Sequence, residues 1–256
     1  ACSLRLRHPA VRVVRFIAEL DATPVQFEGP TAARFVDSED VATFASPAQA
    51  ALPKVAYLRS VPTRSDRSAG GRYVLETERL GLRLPSPADE EPAAELLTDP
   101  AVMRFLGGEV VPREHVPEVI AKWLRRWDED DIGPFVIERR RDRCVLGRAG
   151  LLVWDTRGWT HSTLADAGRH AQPELGWALA RAHWGAGYAT EAARAVRGWA
   201  REERQLRQLI SLIAPDNVAS QRVAERLRAI PTDTVTLFDS GEAVVWAHPP
   251  AVGRVE

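Results

Sequence analysis

The segment Trp184-Gly185-Ala186-Gly187-Tyr188-Ala189-Thr190-Glu191 stands between an extended apolar stretch at 174–180 and a run with helical periodicity. A strand that passes through a glycine turn into a helix leaves about four amide N–H groups without partners, facing outward. The aligned peptide dipoles add roughly half a positive charge there. Such a turn binds a phosphate or diphosphate through main chain alone and needs no lysine. Spacing narrows the choice. A nucleoside-triphosphate P-loop ends in Gly-Lys followed by Ser or Thr, whereas Gly187 is followed by Tyr188. The dinucleotide fingerprint asks for a third small residue where Thr190 stands, and for an early βαβ unit rather than a late position in the chain, so that match is weak. A glycine turn that only joins strand to helix is the competing explanation. Other chemistry finds less support: His161, His170 and His183 lack metal-ligand spacing and no metal is expected, Cys144 reads as a small strand residue, and no Gly-x-Ser-x-Gly elbow occurs.

The elements that would hold this turn can be traced from about Tyr73 onward. Leu80, Leu82 and Leu84 alternate with Gly81 and Arg83, the pattern of a half-buried strand. Helices are predicted at 89–97 and 117–127, the second with Val119, Ile120, Trp123, Leu124 and Trp127 along one face, and a turn with a short helix lies between at 99–106. Extended segments follow at 135–139, 145–154 and 174–180, with connections short enough for an antiparallel meander. Beyond the turn, Ala189, Ala192, Ala193, Val196, Trp199 and Ala200 share one helix face. A strand at 208–213 follows, then a helix capped by Asn217 with Val223 and Leu227 inward, and a hairpin pairs 235–238 with 243–246. The class is α/β in the α+β sense, in the order β, α, α, β, β, β, α, β, α, β, β. The tryptophans at 123, 127, 177, 184, 199 and 246 read as core.

Composition sets the limits. With 34 basic and 35 acidic residues the net charge is -1, so no global field selects a polyanion and nucleic acid is not an expected partner. No apolar run approaches the ~18 residues of a membrane-spanning helix. The first residues lack the apolar core of a signal peptide and Cys2 and Cys144 make no disulfide framework, so a reducing, cytoplasmic setting is expected. The polar stretch at 60–72, with Pro, Ser and paired Gly, suits a linker. The expected division is an unassigned extension at 1–72, a domain at 73–250 and a tail at 251–256.

Three ordered motifs carry a family resemblance: Glu174-Leu-Gly-Trp-Ala-Leu179, then His183-Trp-Gly-Ala-Gly-Tyr-Ala-Thr-Glu-Ala192, then Asn217-Val-Ala-Ser-Gln-Arg-Val-Ala-Glu-Arg-Leu227. Together they resemble the GNAT N-acetyltransferases, and with the opening Leu75-Glu-Thr-Glu-Arg-Leu-Gly-Leu-Arg83 the RimJ/RimL-like branch of ribosomal-protein N-acetyltransferases. The likeness runs from about Tyr73 to Pro249. It implies a mixed, mostly antiparallel sheet with flanking helices, in which the fourth and fifth strands, at 174–180 and 208–213, are parallel and splayed. Acetyl-coenzyme A would lie between them, its pyrophosphate on Gly185, Ala186, Gly187, Tyr188 and Ala189, its pantetheine along Trp177, Ala178 and Leu179, with Asn217 as cap and cofactor contact. Ala182 departs from the wider family, where Gln or Arg commonly stands, and Arg181 is one place away.

The implied reaction transfers acetyl to a primary amine, either a protein N-terminus or a small molecule, by direct attack. At pH 7 freeing an α-amine of pKa ~8 costs about 1.4 kcal/mol and freeing a lysine of ~10.4 nearly 5, so a general base is expected. Glu174 is the first candidate; Glu191, Asp155 and the run Asp128-Glu129-Asp130-Asp131 follow. A solvated strand-edge role for Glu174 stays open. The tyrosine that often protonates the leaving thiolate is replaced by Ala224, and Ser220 occupies the position of the branch's serine, so it is the candidate thiolate partner. The rival is a non-catalytic acyl-coenzyme A-binding module whose N-terminal segment binds a partner. Homodimer formation is compatible with either.

Overall fold

The computed structural model describes residues 73–237 and 241–249. The expected extension at 1–72, the tail at 251–256 and the turn at 238–240 lie outside the described residues. In chain order the elements are β1 (Leu75–Glu76), β2 (Leu80–Arg83), α1 (Glu90–Leu97), α2 (Pro100–Met103), α3 (Val116–Asp130), β3 (Pro134–Arg139), β4 (Cys144–Asp155), β5 (Thr160–His161), α4 (Leu164–Ala167), β6 (Ala171–Leu179), α5 (Tyr188–Glu202), β7 (Leu209–Ile213), α6 (Val218–Arg226), β8 (Ile230–Leu237) and β9 (Gly241–His248). The strands form one sheet in the order β1-β2-β3-β4-β6-β7-β9-β8, with β5 paired to β4. Every pairing is antiparallel except β6 with β7, which is parallel.

The two faces of β4 show how the sheet divides its work. Ala149, Leu151 and Val153 join Leu175, Leu179 and the inner face of α5, Ala192, Ala193, Val196, Trp199 and Ala200, in the main core. Trp127, Phe135 and Trp199 lock α3, β3 and α5 together, with ring centroids 4.7, 5.7 and 5.1 Å apart. The opposite face carries Arg148, Leu152 and Trp154, register partners of Ala178, Glu174 and Gln172 on β6. Ala178 there packs with Leu96 and Val102, while α1 and α3 bury Ala94, Leu97, Ile120 and Trp123 against one another. One edge is fastened by charge: Arg83 bonds both Asp89, at 2.5 Å, and Glu138, to which the Tyr73 hydroxyl also donates at 3.0 Å.

Four elements depart from expectation. β1, β5 and α4 were not predicted, because two strand residues and one helical turn carry too little periodicity to register. β8 begins at Ile230, since cross-strand bonds to β9 draw in the polar residues 231–234 that alone read as loop. Trp184 is 47 % exposed and not core. Its Nε1 donates to the Leu179 carbonyl at 2.7 Å, tying the glycine turn to the end of β6.

Candidate active site

The parallel ladder between β6 and β7 consists of one register pair, Glu174 with Ile210. Just past it, side chains take over from main chain: Ser211 Oγ donates to the Leu175 carbonyl at 2.6 Å, and the Leu212 amide points at Glu174 Oε1 at 3.4 Å. The strands then part. The Ala180 amide donates to Leu146 on β4, so by antiparallel alternation the main-chain groups of Ala178 also face β4, while those of Trp177 and Leu179 face the opening between β6 and β7. The tip of the β6 arm leads to the glycine turn, and the tip of β7 leads to Asn217 and Ser220.

Gly185 and Gly187 have φ of 78° and 81°, the left-handed region that a β-carbon disfavours, and Gly187 is the N-cap of α5. Space is not the constraint, since a β-carbon on Gly185 would meet nothing within 4 Å. The turn is exposed, and from Tyr188 onward the first amides of a 15-residue helix open toward solvent. Beside it stands Arg79, whose guanidinium donates to the Ala186 carbonyl at 3.0 Å, pairs with Glu191 at 2.6 Å and lies 4.6 Å from the Tyr188 ring centroid. Arg194 and Arg226 line the same open recess. The site thus offers main-chain amides to a polyanion, with Arg194 and Arg226 in a recess that Glu76, Glu78 and Glu191 also line.

Glu174 sits at the apex of the opening, on a central strand, and only 9 % of it is exposed. Its Oε2 accepts from the Trp154 indole at 2.5 Å. Burial pushes its carboxyl pKa up, and the hydrogen bonds from Trp154 and Leu212 and the charges of Arg148 and Arg126 only partly oppose this. The floor next to it is open, because a β-carbon on Gly176 would meet only Glu174 Oε1, at 4.0 Å. Of the other candidate bases, Glu191, Asp155 and Asp130 are bonded to other groups. Burial would raise Glu191, but the Thr77 hydroxyl and the amide and guanidinium of Arg79 hold it below its usual range. Asp155 is held down to about 2 by Arg157. In the acidic run, Asp130 Oδ1 accepts from the Leu164 amide at 2.8 Å and Asp131 closes α3 in a left-handed conformation, φ 55°.

The family profile described as "Acetyltransferase (GNAT) domain" matches residues 79–230. The chain belongs to the GNAT acetyltransferases. Among its relatives is the uncharacterized protein YkkB of Bacillus subtilis (strain 168), 31 % identical over 172 residues that cover 66 % of this chain and 92 % of that protein. A solved acetyltransferase from Agrobacterium tumefaciens str. C58 is 29 % identical, with TM-score 0.55 over 68 % of this chain and 92 % of that one. The aminoglycoside acetyltransferase AAC(6')-Ib, solved with ribostamycin and coenzyme A, shares the fold at 19 % identity, TM-score 0.55, over 67 % of this chain and 94 % of its own.

In this GNAT chain Asn217 is the cap of α6, its side chain accepting from the Ser220 amide at 3.1 Å. Ser220 is half-buried in the first turn, and Ala224, at the position of the family's frequent tyrosine, is fully buried with Ile213, Ala229 and Trp246. Trp177 packs partly against the main core, and Tyr188 is half-buried under Arg79. Sequence reasoning missed Arg79, Ser211, Arg126 and Arg148. Arg79 had a signal in the Thr-Glu-Arg run of the opening motif. The other three stand together only through sheet register and helix packing, which no spacing rule exposes.

Proposed function

We propose that the chain is an acetyl-coenzyme A-dependent N-acetyltransferase that acts on a primary amine by direct attack in a ternary complex. One observation carries this reading: a gap between two parallel strands with a phosphate-ready glycine turn at one arm and a buried carboxyl at its apex. The diphosphate fits the amides of 185–189 beside Arg79, with Arg194 and Arg226 within the same recess for further phosphate charge. The pantetheine amides pair with the main-chain groups of Trp177 and with the Leu179 amide as an added half-strand, the Leu179 carbonyl being held by the Trp184 indole. The acceptor amine approaches over Gly176. Its nitrogen bonds to the thioester carbonyl carbon, Glu174 takes the amine proton, and the C–S bond breaks to release a thiolate. A Ser220 hydroxyl bond suffices to steady that thiolate, since a thiol of pKa ~8.5 is already a fair leaving group.

A non-catalytic module is the second reading, favoured by the packed Ala224 where a proton donor often stands. Thiol release on incubation with acetyl-coenzyme A and an amine panel separates the two, because turnover with any amine removes the second. Gly187→Glu should abolish coenzyme A binding by setting a β-carbon at positive φ and a negative charge at the helix N-terminus. Unchanged calorimetric affinity in a folded variant would refute the pyrophosphate site.

A further inference from the structure

Glu174 does not stand alone on its face of the sheet. Arg148 and Leu152 on β4 share that face, Leu152 being the register partner of Glu174, and Trp154 continues it. His161 stacks on Trp154 with centroids 4.1 Å apart. From α3, Trp123 lies under the Arg148 guanidinium at 5.7 Å, and Arg126 is one turn further along the same helix. Arg126 and Arg148 are half-buried and His161 is exposed, so the three groups stand along an open cleft rather than inside the core.

The charges in this cleft do not balance. Among the described residues neither Arg126 nor Arg148 has a hydrogen-bonded or ion-paired partner, and Arg148 Nε is buried without an acceptor. Each guanidinium is unfavourable to the other. Glu129 and Asp130 on the flank of α3 act on Arg126 through space only, and Glu174 is the one acidic group that acts on both arginines. Glu174 is itself pushed toward neutrality, and His161, lowered to about 4, is uncharged at neutral pH. Two half-buried cations therefore stand at this opening with no bonded counter-charge, Glu174, Glu129 and Asp130 acting on them only through space. A guanidinium left in that state is costly unless a ligand brings the acceptor, and arginine's planar fork suits a carboxylate or similar oxyanion.

We infer that the acceptor is an amine carrying an anionic group, a carboxylate in the simplest case, which Arg148 and Arg126 bind while the amine lies over Gly176 beside Glu174. Free amino acids and protein N-termini with an acidic side chain share this chemistry. A polycationic amine is excluded by the same two charges. The inference rests on the proposed acetyl transfer for its chemistry, but not for its test.

The test uses the full chain saturated with coenzyme A and matched probes: 5-aminovalerate against pentylamine, the C-terminally amidated tripeptide Asp-Glu-Ala against amidated Asn-Gln-Ala, and ribostamycin. Calorimetric binding and acetyl-coenzyme A turnover are both measured for the wild type, Arg148→Gln, Arg126→Gln and Arg148→Lys. The anionic member of at least one pair should bind 10-fold or more tightly than its neutral partner, the pair that does so identifying the source. The ratio should collapse in the glutamine variants and survive in part in Arg148→Lys. Selective binding without turnover would uphold the anionic site and sink the acetyl-transfer reading. Equal binding within both pairs, preference for ribostamycin, or a ratio unmoved by both glutamine substitutions would overturn the inference.

Discussion

Arg83 and Arg148 are both arginines on strands of one sheet, and they live in opposite electrostatic circumstances. Arg83 touches Asp89 and Glu138, and the Ser86 amide and hydroxyl complete the Asp89 bonds at 2.7 and 3.1 Å. Arg148 has an aromatic ring beneath it and, among the described residues, no acceptor. The first is a closed network, in which one cation and the two carboxylates bonded to it were desolvated together. The second is open, and the difference separates a charge that holds the fold from one that waits for something to bind.

Breaking the closed network should have the largest effect. Arg83→Ala removes the cation that Asp89 and Glu138 share and should cost about 3–5 kcal/mol of unfolding free energy, measurable by urea titration. Its pH signature has a definite sign. Burial would raise the Asp89 pKa, but the bonds from Arg83 and Ser86 outweigh it and hold the folded value below the ordinary carboxylate range. The stabilisation is therefore present above the unfolded pKa and lost as pH falls through the folded one, so wild type and variant should converge in acid. A constant gap down to pH 3 would show that packing, not charge, accounts for the loss.

On the open side, Glu174→Gln should lower turnover by ~100-fold at neutral pH if the carboxylate accepts the amine proton. Because burial raises the Glu174 pKa, wild-type kcat/KM should fall as pH drops through a value above that of an ordinary glutamate. That limb should vanish in the glutamine variant. Wild-type rates retained across pH 6 to 9, with chemistry rate-limiting, would move the base elsewhere. Ser220→Ala should cost about 1–3 kcal/mol of barrier, roughly 5- to 150-fold, with little change in coenzyme A affinity. A wild-type rate in single-turnover experiments would leave Ser220 a helix-turn residue only. The smallest effect is the sharpest contrast with Arg83: Arg148→Gln should change stability by no more than ~1 kcal/mol, and toward greater stability, since it removes an unpaired charge. A loss comparable to that of Arg83→Ala would mean that Arg148 holds the fold after all.

What could be read from sequence follows from where each constraint resides. Gly185 and Gly187 were legible because left-handed φ is a local demand that favours glycine. The α3 stripe was legible for the same reason: Ile120, Trp123 and Trp127 recur at helical spacing and are buried as spacing requires. Glu174 could be nominated only through the family resemblance, and nothing local distinguishes it from a solvated strand-edge glutamate; burial and the Trp154 bond place it instead at the apex. Arg126 and Arg148 were illegible, being 22 residues apart on a helix and a strand and made neighbours by packing alone. Trp184 misled because its size argues for burial, whereas its indole N–H is spent on a turn.

The single-rung contact between β6 and β7 has a further consequence for the sheet as a mechanical object. An unpaired strand edge ordinarily recruits another polypeptide, and proteins guard such edges with charge, proline or short strands. Here the open stretch, the main chain of Trp177 and the Leu179 amide, is flanked by β4 on one side and by the diverging β7 on the other, pinned at Glu174 and Ile210, while the Trp184 indole holds the Leu179 carbonyl. A full strand from another chain would have to unpin that rung, whereas a slender ligand with amides of its own can slip in and complete the hydrogen bonding. Occupancy should then be visible far from the chemistry, as slower amide hydrogen exchange at Trp177 and Leu179 and as a rise in melting temperature that grows with ligand concentration.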